Sequence, residues 1–216
     1  MITDNIIQLK KVTKIINKKI ILDNISIDLF PGNIYGLRGK NGCGKTMLMR
    51  SMVGFMKPTK GEIYVGNQRL YYDIDFPPSI GAMIEQPSFL EEYTGFENLC
   101  MLQSLYKIID VKSVEEALKR VGLEDRKNIK YKKYSLGMKQ KLGIAFAMLD
   151  KPDIIILDEP INALDETSIG IIRNSLIDLK NDRIIVIACH DREEMDSLAD
   201  IVFLMNEGKI IEVEEH

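Results

Sequence analysis

A short glycine-rich segment carries the strongest chemical signal in this sequence. Residues 39–46 read Gly-Lys-Asn-Gly-Cys-Gly-Lys-Thr and fit the pattern G-x-x-x-x-G-K-[ST] at every fixed position. The glycines let backbone N–H groups turn inward around phosphates, Lys45 can reach the outer phosphates, and the Thr46 hydroxyl can ligate Mg²⁺. The apolar spacing predicts a buried strand over residues 33–37 and a helix that starts near Lys45. Strand, loop and helix together predict a nucleoside triphosphate site built from Gly39, Asn41, Gly42, Cys43, Gly44, Lys45 and Thr46.

Two adjacent carboxylates end a second apolar run. Residues 154–157 read Ile-Ile-Ile-Leu, and Asp158 and Glu159 follow them. Because side chains alternate along a strand, we expect these two to point in opposite directions and to do different work. Asp158 is placed to hold Mg²⁺ directly or through water, and Glu159 to polarise a water beside the γ-phosphate. A pair of solvated acids at a strand end is the alternative interpretation.

One histidine belongs to the same predicted edge. His190 follows the apolar run of residues 184–188 and precedes Asp191-Arg192-Glu193-Glu194, which matches a capping box. Neighbouring parallel strands end at one edge of a sheet, so His190 can face the same γ-phosphate. Taken alone, a single histidine is more often structural.

The remaining pattern predicts a β-rich N-terminal layer and a helical insertion. Residues 6–30 alternate loosely between apolar and polar, and residues 61–67 form a strand and a turn. Between residues 91 and 150 the pattern is helical, with capping boxes that start at Thr94 and at Ser113. The apolar runs of residues 153–158 and 183–188 indicate parallel strands covered on both faces, with a helix between them.

Length and composition exclude several classes of protein. The chain has 216 residues, 45% of them hydrophobic and 28% charged, which is typical of a folded globular protein. Its net charge of -3 offers no global attraction to nucleic acid, so no nucleic-acid partner is expected. No apolar run is long enough to span a bilayer, so we expect a cytosolic chain. The three widely spaced cysteines indicate neither a disulfide framework nor a zinc site.

Further motifs make the chain resemble the ATP-binding cassette (ABC) ATPases. Tyr134-Ser135-Leu136-Gly137-Met138-Lys139-Gln140 resembles the family's signature motif, whose common form is L-S-G-G-Q. Gln86 matches the family's Q-loop, Ala163-Leu164-Asp165 its D-loop and His190 its switch histidine, all in the family's order. The form of the signature looks most like cassettes of drug and antimicrobial-peptide exporters, including bacitracin and lantibiotic self-immunity systems.

The resemblance implies an α/β fold and a division of the chain. We expect one cassette over residues 1–216, with a P-loop NTPase (RecA-like) core, an N-terminal antiparallel β layer and an inserted α-helical subdomain. The ATP-binding core takes residues 1–88 and 151–216, and the helical subdomain with the signature takes residues 89–150.

The resemblance also implies partners and roles. Two cassettes close head to tail around ATP and Mg²⁺, with Ser135, Gly137 and Asp165 contributing to nucleotide binding. Lys45, Gln86, Glu159 and His190 are the implied catalytic residues, and Thr46, Gln86 and Asp158 the implied metal contacts. The cycle drives a separate transmembrane permease, which holds the cassette at the cytoplasmic face of the membrane; the region around Gln86 and the helical subdomain couples the two.

Several positions depart from the family's pattern. Met47 stands where a second Thr or Ser often contacts the α-phosphate, which leaves only its backbone N–H for that contact. Ile16 stands where an aromatic residue usually stacks on adenine. Cys43 lies inside the phosphate loop beside Lys45, a setting that favours a reactive thiolate; the alternative is a small, buried and inert residue.

Two other functions remain open at this point. A non-transporter cassette acting on nucleic acid or in complex assembly would carry a long coiled coil or a second cassette, and this chain has neither pattern. A silent ATP-binding module would be expected to lack Glu159 or His190, and both are present. We therefore favour the ATPase subunit of an exporter.

The missing aromatic residue predicts weak discrimination between ATP and GTP. Base–aromatic stacking contributes about 1–3 kcal/mol, and an aliphatic contact recovers only part of it. Ile16→Tyr should therefore tighten nucleotide binding by ~1 kcal/mol. Calorimetry with ATP and GTP on both proteins measures this, and a strong ATP preference in the unmodified chain would mean that another residue contacts the base.

Overall fold

The apolar runs form neighbouring strands of one sheet in this computed structural model, which describes residues 6–85 and 88–216. The strands are β1 (Ile7–Ile16), β2 (Lys19–Leu29), β3 (Ile34–Arg38), β4 (Lys60–Val65), β5 (Gln68–Arg69), β6 (Ile80–Met83), β7 (Ile154–Asp158), β8 (Ile184–Cys189), β9 (Ile201–Asn206) and β10 (Lys209–Glu215). The α-helices are α1 (Lys45–Met52), α2 (Gly95–Ser104), α3 (Val111–Arg120), α4 (Leu136–Met148), α5 (Glu166–Leu179) and α6 (Arg192–Leu198).

The larger sheet has the strand order β10-β9-β3-β8-β7-β6. Strands β9, β3, β8, β7 and β6 pair in parallel, and β10 adds an antiparallel edge. Alternate residues of the central strands belong to two separate cores. Ile155 and Leu157 of β7 face the core shared with α3, α4 and α5, whereas Ile154 and Ile156 face the one shared with α1 and the N-terminal strands. Burial on both faces explains why these strands are uninterrupted apolar runs.

The N-terminal strands form the predicted antiparallel layer. Strands β2, β1, β4 and β5 make a four-stranded sheet in that order. Its inner face contributes Leu9, Leu22 and Ile63 to the core that contains α1. Helix α1, which follows the phosphate loop, is therefore packed between this layer and the larger sheet.

The segment between residues 91 and 150 is helical, as the sequence predicts. Thr94 caps α2 with a full capping box, in which the Thr94 hydroxyl accepts from the Glu97 N–H and the Glu97 carboxylate accepts from the Thr94 N–H. The second predicted capping box, at Ser113, is wrong. Asp110 caps α3 instead, and the Ser113 hydroxyl donates to Asp150 at 2.7 Å. A polar residue one turn earlier thus took the capping position.

The start of α6 follows its predicted pattern only in part. The Asp191 carboxylate accepts from the Glu194 N–H at 3.0 Å, which confirms the N-cap. The Glu194 carboxylate accepts instead from the Cys189 thiol at 3.3 Å.

The boundaries proposed for the helical subdomain, residues 89–150, stay a prediction. None of the helices in the two described ranges is long and apolar enough to cross a membrane.

Close packing of α4 on β6 leads to a stability prediction. A Cβ at Gly81 of β6 would overlap the carbonyl oxygen of Ala147 in α4, so the strand and the helix touch backbone to backbone. Gly81→Ala should lower the free energy of unfolding by about 1–3 kcal/mol, because neither backbone can yield without disturbing its core. Urea denaturation of the purified chain measures the change.

Gly170, inside α5, is the matched control. A Cβ there meets nothing within 4 Å. Gly170→Ala should raise the free energy of unfolding by about 0.5–1 kcal/mol, because alanine loses less backbone entropy in a helix. Equal effects of the two alanines would contradict the packing explanation.

Candidate nucleotide-binding site

The phosphate loop joins β3 to α1 and leaves the start of α1 open. Gly44 is the N-cap residue, with a φ of 115°, and no side chain caps this end of the helix. A Cβ at Gly44 would lie 3.0 Å from the carbonyl oxygen of Ile21, so both the left-handed backbone and the nearby strand favour glycine. The first N–H groups of a helix have no partner within it, and the helix dipole favours anions there. The loop is therefore built to receive phosphate.

Successive loop residues each face one of the two predicted carboxylates. The Lys45 Nζ donates to the Gly39 carbonyl at 2.6 Å and lies 4.0 Å from the Glu159 Oε1. The Thr46 Oγ1 donates to the Asp158 Oδ2 at 2.6 Å. The expectation that Asp158 and Glu159 point in opposite directions is therefore wrong. Glu159 has a φ of 50°, so strand geometry ends at Asp158 and the alternation of a strand does not extend to Glu159.

The histidine predicted for this edge also reaches Glu159. The His190 Nδ1 lies 3.1 Å from the Glu159 Oε2, and 55% of the histidine side chain is exposed. The Glu159 N–H donates to the Ala188 carbonyl at 3.0 Å, which ties the end of β7 to β8. Burial raises the pKa of the neighbouring Cys189 thiol to about 12, so this cysteine stays a neutral thiol near pH 7. Lys45, Glu159 and His190 thus meet in one place.

A cavity of about 220 Å³ lies over the phosphate loop and the two carboxylates. Its lining consists of Ile21, Asn41, Gly42, Gly44, Lys45, Thr46, Met47, Asp158 and Glu159. The structure therefore brings most of the predicted phosphate-binding residues together with both carboxylates. Ile21 of β2 had not been predicted, and its apolar neighbours in the sequence gave no signal to single it out.

Two of the residues predicted to bind nucleotide, Cys43 and Ile16, do not line this cavity in the described part of the chain. Cys43 is buried, with 7% of its surface exposed, which agrees with the alternative of a small buried residue and not with a reactive thiolate. Ile16 ends β1 with 37% exposure and is not among the described residues that line the cavity. Its contact with the base stays a prediction. Gln86 lies outside the described residues.

The signature residues form a second group near the D-loop. Ser135 is the N-cap of α4 and accepts from the Met138 N–H at 3.2 Å. A Cβ at Gly137 would lie 2.9 Å from the Ala163 carbonyl oxygen, so α4 begins against the D-loop. Asp165 caps α5, and its hydrogen bonds with Ser168 lower the pKa of its carboxyl. In the described chain, the lining of the phosphate-loop cavity includes none of Ser135, Gly137 and Asp165.

A run of basic residues precedes the signature, and several of its members have acidic partners. The run consists of Arg126, Lys127, Lys130, Lys132 and Lys133. Lys127 pairs with Glu115 at 2.5 Å, and Lys130 and Lys132 pair with Glu92 at 3.3 and 2.8 Å. These ion pairs lie at the surface, where water and salt screen them. The run is therefore partly neutralised within the helical segment.

Comparisons with known proteins identify the family. Residues 22–162 match the family model described as ABC transporter. The chain is 43% identical to the uncharacterized ABC transporter ATP-binding protein YybJ of Bacillus subtilis (strain 168), over 94% of each chain. It is 38% identical to the bacitracin transport ATP-binding protein BcrA of Enterococcus faecalis, over 98% of this chain and 70% of BcrA.

A solved structure agrees with these relatives. The fold matches the dimeric structure of MJ0796, a bacterial ABC transporter cassette, with a TM-score of 0.85 and 26% identity over 97% of this chain and 98% of that chain. The predicted fold class and family are confirmed, and nothing supports the non-transporter alternative. The chain belongs to the ABC transporter family, as an ATP-binding subunit that hydrolyses ATP.

Proposed function

We propose that this chain is the Mg²⁺-dependent ATPase subunit of an exporter for drugs or antimicrobial peptides. The observation that carries the catalytic part is the convergence of Lys45, Glu159 and His190 beside the Thr46–Asp158 hydrogen bond. Lys45 begins α1, the helix that follows β3, whereas Glu159 and His190 directly follow β7 and β8. The similarity to a bacitracin transport protein supports the kind of cargo.

Glu159 and His190 divide the chemistry between them. Glu159 is the acceptor that polarises the attacking water, because its carboxylate faces the loop that holds the phosphates. His190 is largely exposed at the same edge, so a ring nitrogen can reach the γ-phosphate while the Nδ1 bonds to Glu159. Lys45 neutralises the outer phosphates. Gln86 is assigned to the same site from its motif alone.

The Thr46–Asp158 pair supplies the oxygens that Mg²⁺ prefers. A hydroxyl and a carboxylate already in contact at 2.6 Å fit a hard cation that binds oxygen ligands. When bound, Mg²⁺ neutralises the charge that develops on the phosphates. The phosphate-loop residues, with Ile16 and Met47, bind the rest of the nucleotide.

A second copy of the chain completes each site in this proposal. Ser135 and Gly137 lie at the start of α4, and Gly137 lies against Ala163 of the D-loop, which ends at Asp165. A serine hydroxyl, a small glycine and a helix N-terminus suit a γ-phosphate. Because the cavity over the phosphate loop lacks them in its own chain, head-to-tail pairing would supply them from the partner. The solved structure of a cassette with a similar fold is dimeric, which supports the pairing of two copies.

The first test is Glu159→Gln. The amide preserves size and hydrogen bonding but is a poor base, so phosphate release should fall on the order of 100-fold or more. ATP binding should persist because the phosphate loop is intact. ATP-bound dimers should therefore accumulate, as measured by size-exclusion chromatography with ATP and Mg²⁺.

Glu124→Gln is the matched control, since Glu124 is an exposed carboxylate in a short 3₁₀ turn of the helical segment. It should leave phosphate release and dimer formation unchanged. Turnover of Glu159→Gln near that of the unmodified chain would remove Glu159 from its proposed role.

The partner proposal has its own test. The tagged chain, purified from native membranes in mild detergent, should carry an integral membrane protein in stoichiometric amount. Co-reconstitution of the two in vesicles should make phosphate release depend on the presence of bacitracin-like peptides. Recovery of the chain only from the cytosolic fraction, alone or with nucleic acid, would contradict the proposed permease and its location at the cytoplasmic face.

A further inference from the structure

A buried glutamine connects the signature helix to the backbone of Glu159. Gln140 lies on the inner side of α4 with 8% of its surface exposed. Its Nε2 donates to the Glu159 carbonyl at 2.8 Å and to the Pro160 carbonyl at 3.2 Å. A buried amide with two such acceptors has one favourable orientation, because leaving it unpaired costs about 1–3 kcal/mol. The side chain therefore fixes the distance between α4 and residues 159–160.

The backbone at Glu159 needs such a restraint. A φ of 50° is unfavourable for a residue with a side chain and persists only where the surroundings impose it. The Glu159 N–H is held by Ala188, and its carbonyl accepts from Gln140 at 2.8 Å and from the Asn162 N–H at 3.4 Å. Of the two hydrogen bonds to the Glu159 carbonyl, the one from Gln140 is therefore the shorter. This carbonyl belongs to the residue whose backbone sets the direction of the carboxylate.

The other end of the connection is the start of α4. Ser135 caps the helix, and Gly137 lies against the carbonyl of Ala163. Helix α4 therefore contacts the chain after β7 at two points: at Glu159 and Pro160 through Gln140, and at the D-loop through Gly137. Fewer than two helical turns separate Ser135 from Gln140, so both contacts belong to one short helical element.

We propose that Gln140 is a positioning residue for ATP hydrolysis, which holds the backbone of Glu159 so that its carboxylate stays beside Lys45 and His190. The inference rests on the role proposed above for Glu159. Since Ser135 is proposed to complete the partner's site while Glu159 acts in its own, Gln140 also links the two sites of the dimer through one chain.

The test is Gln140→Met, which keeps the length of the side chain and removes the donor. The kcat for phosphate release should fall on the order of 10-fold to 100-fold, because a small misplacement of a catalytic group has an effect of that size. The KM for ATP and the ATP-dependent dimer should change by less than about two-fold, because the phosphate loop is untouched. Gln140→Leu, which also removes the donor and stays uncharged, should show the same split.

Gln103→Met is the matched control. Gln103 is also a buried amide; it donates to Asp150 at 2.7 Å and accepts from the Asp110 N–H at 2.7 Å, away from Glu159. Its loss should lower the thermal unfolding midpoint without changing kcat. Equal losses of kcat in Gln103→Met and Gln140→Met would overturn the positioning role, as would an unchanged kcat in both Gln140 variants.

A double variant separates this inference from the proposal on which it rests. In Glu159→Gln, the added change Gln140→Met should cause no further loss of residual hydrolysis, because the group that Gln140 positions is already disabled. A full additive loss would overturn the inference. If Glu159→Gln itself retains turnover, the proposed role of Glu159 fails; if only Gln140→Met retains it, the inference fails alone.

Discussion

The candidate site depends on the parallel pairing of three strands. Strand β8 lies between β3 and β7, and the register pairs Arg38 with Cys189 and Asp158 with Ala188. The phosphate loop follows β3, His190 follows β8 and Glu159 follows β7. Because parallel strands end at the same edge, segments far apart in the chain bring a loop, a carboxylate and a histidine to one place. A change of register by one residue in β8 would exchange the side chains that face the two cores.

A buried guanidinium helps to hold that edge together. Arg38, the last residue of β3, is 7% exposed and bonds to Asp196 of α6 at 2.9 Å and to Glu214 of β10 at 2.7 Å. Helix α6 starts just after His190, so the arginine joins the base of the phosphate loop to the helix behind the histidine. Loss of both carboxylates would leave an uncompensated buried charge, which is typically far more costly than loss of an exposed pair.

Local signals predicted the elements well and their exact contacts less well. The strands, the helix after the phosphate loop and the cap at Thr94 follow from periodicity and capping chemistry, which act over a few residues. Ser113 misled because Asp110, three residues earlier, offered a second capping side chain. Cys43 misled because loop composition does not reveal that a thiol turns into the core. Gln140 is part of the signature motif but was given no role of its own, because the sequence does not show which acceptors a buried amide reaches.

The sequence by itself determined the family, the ATP-binding loop and the chemical types at the site, because motif spacing encodes which groups the backbone can present together. Only the tertiary structure decided that Asp158 and Glu159 face the same loop, that His190 bonds to Glu159, and that Gln140 reaches the carbonyl of Glu159. These contacts join residues on different elements. Their geometry is set by how the two cores pack on the central sheet and by the left-handed backbone at Glu159, which local periodicity does not encode.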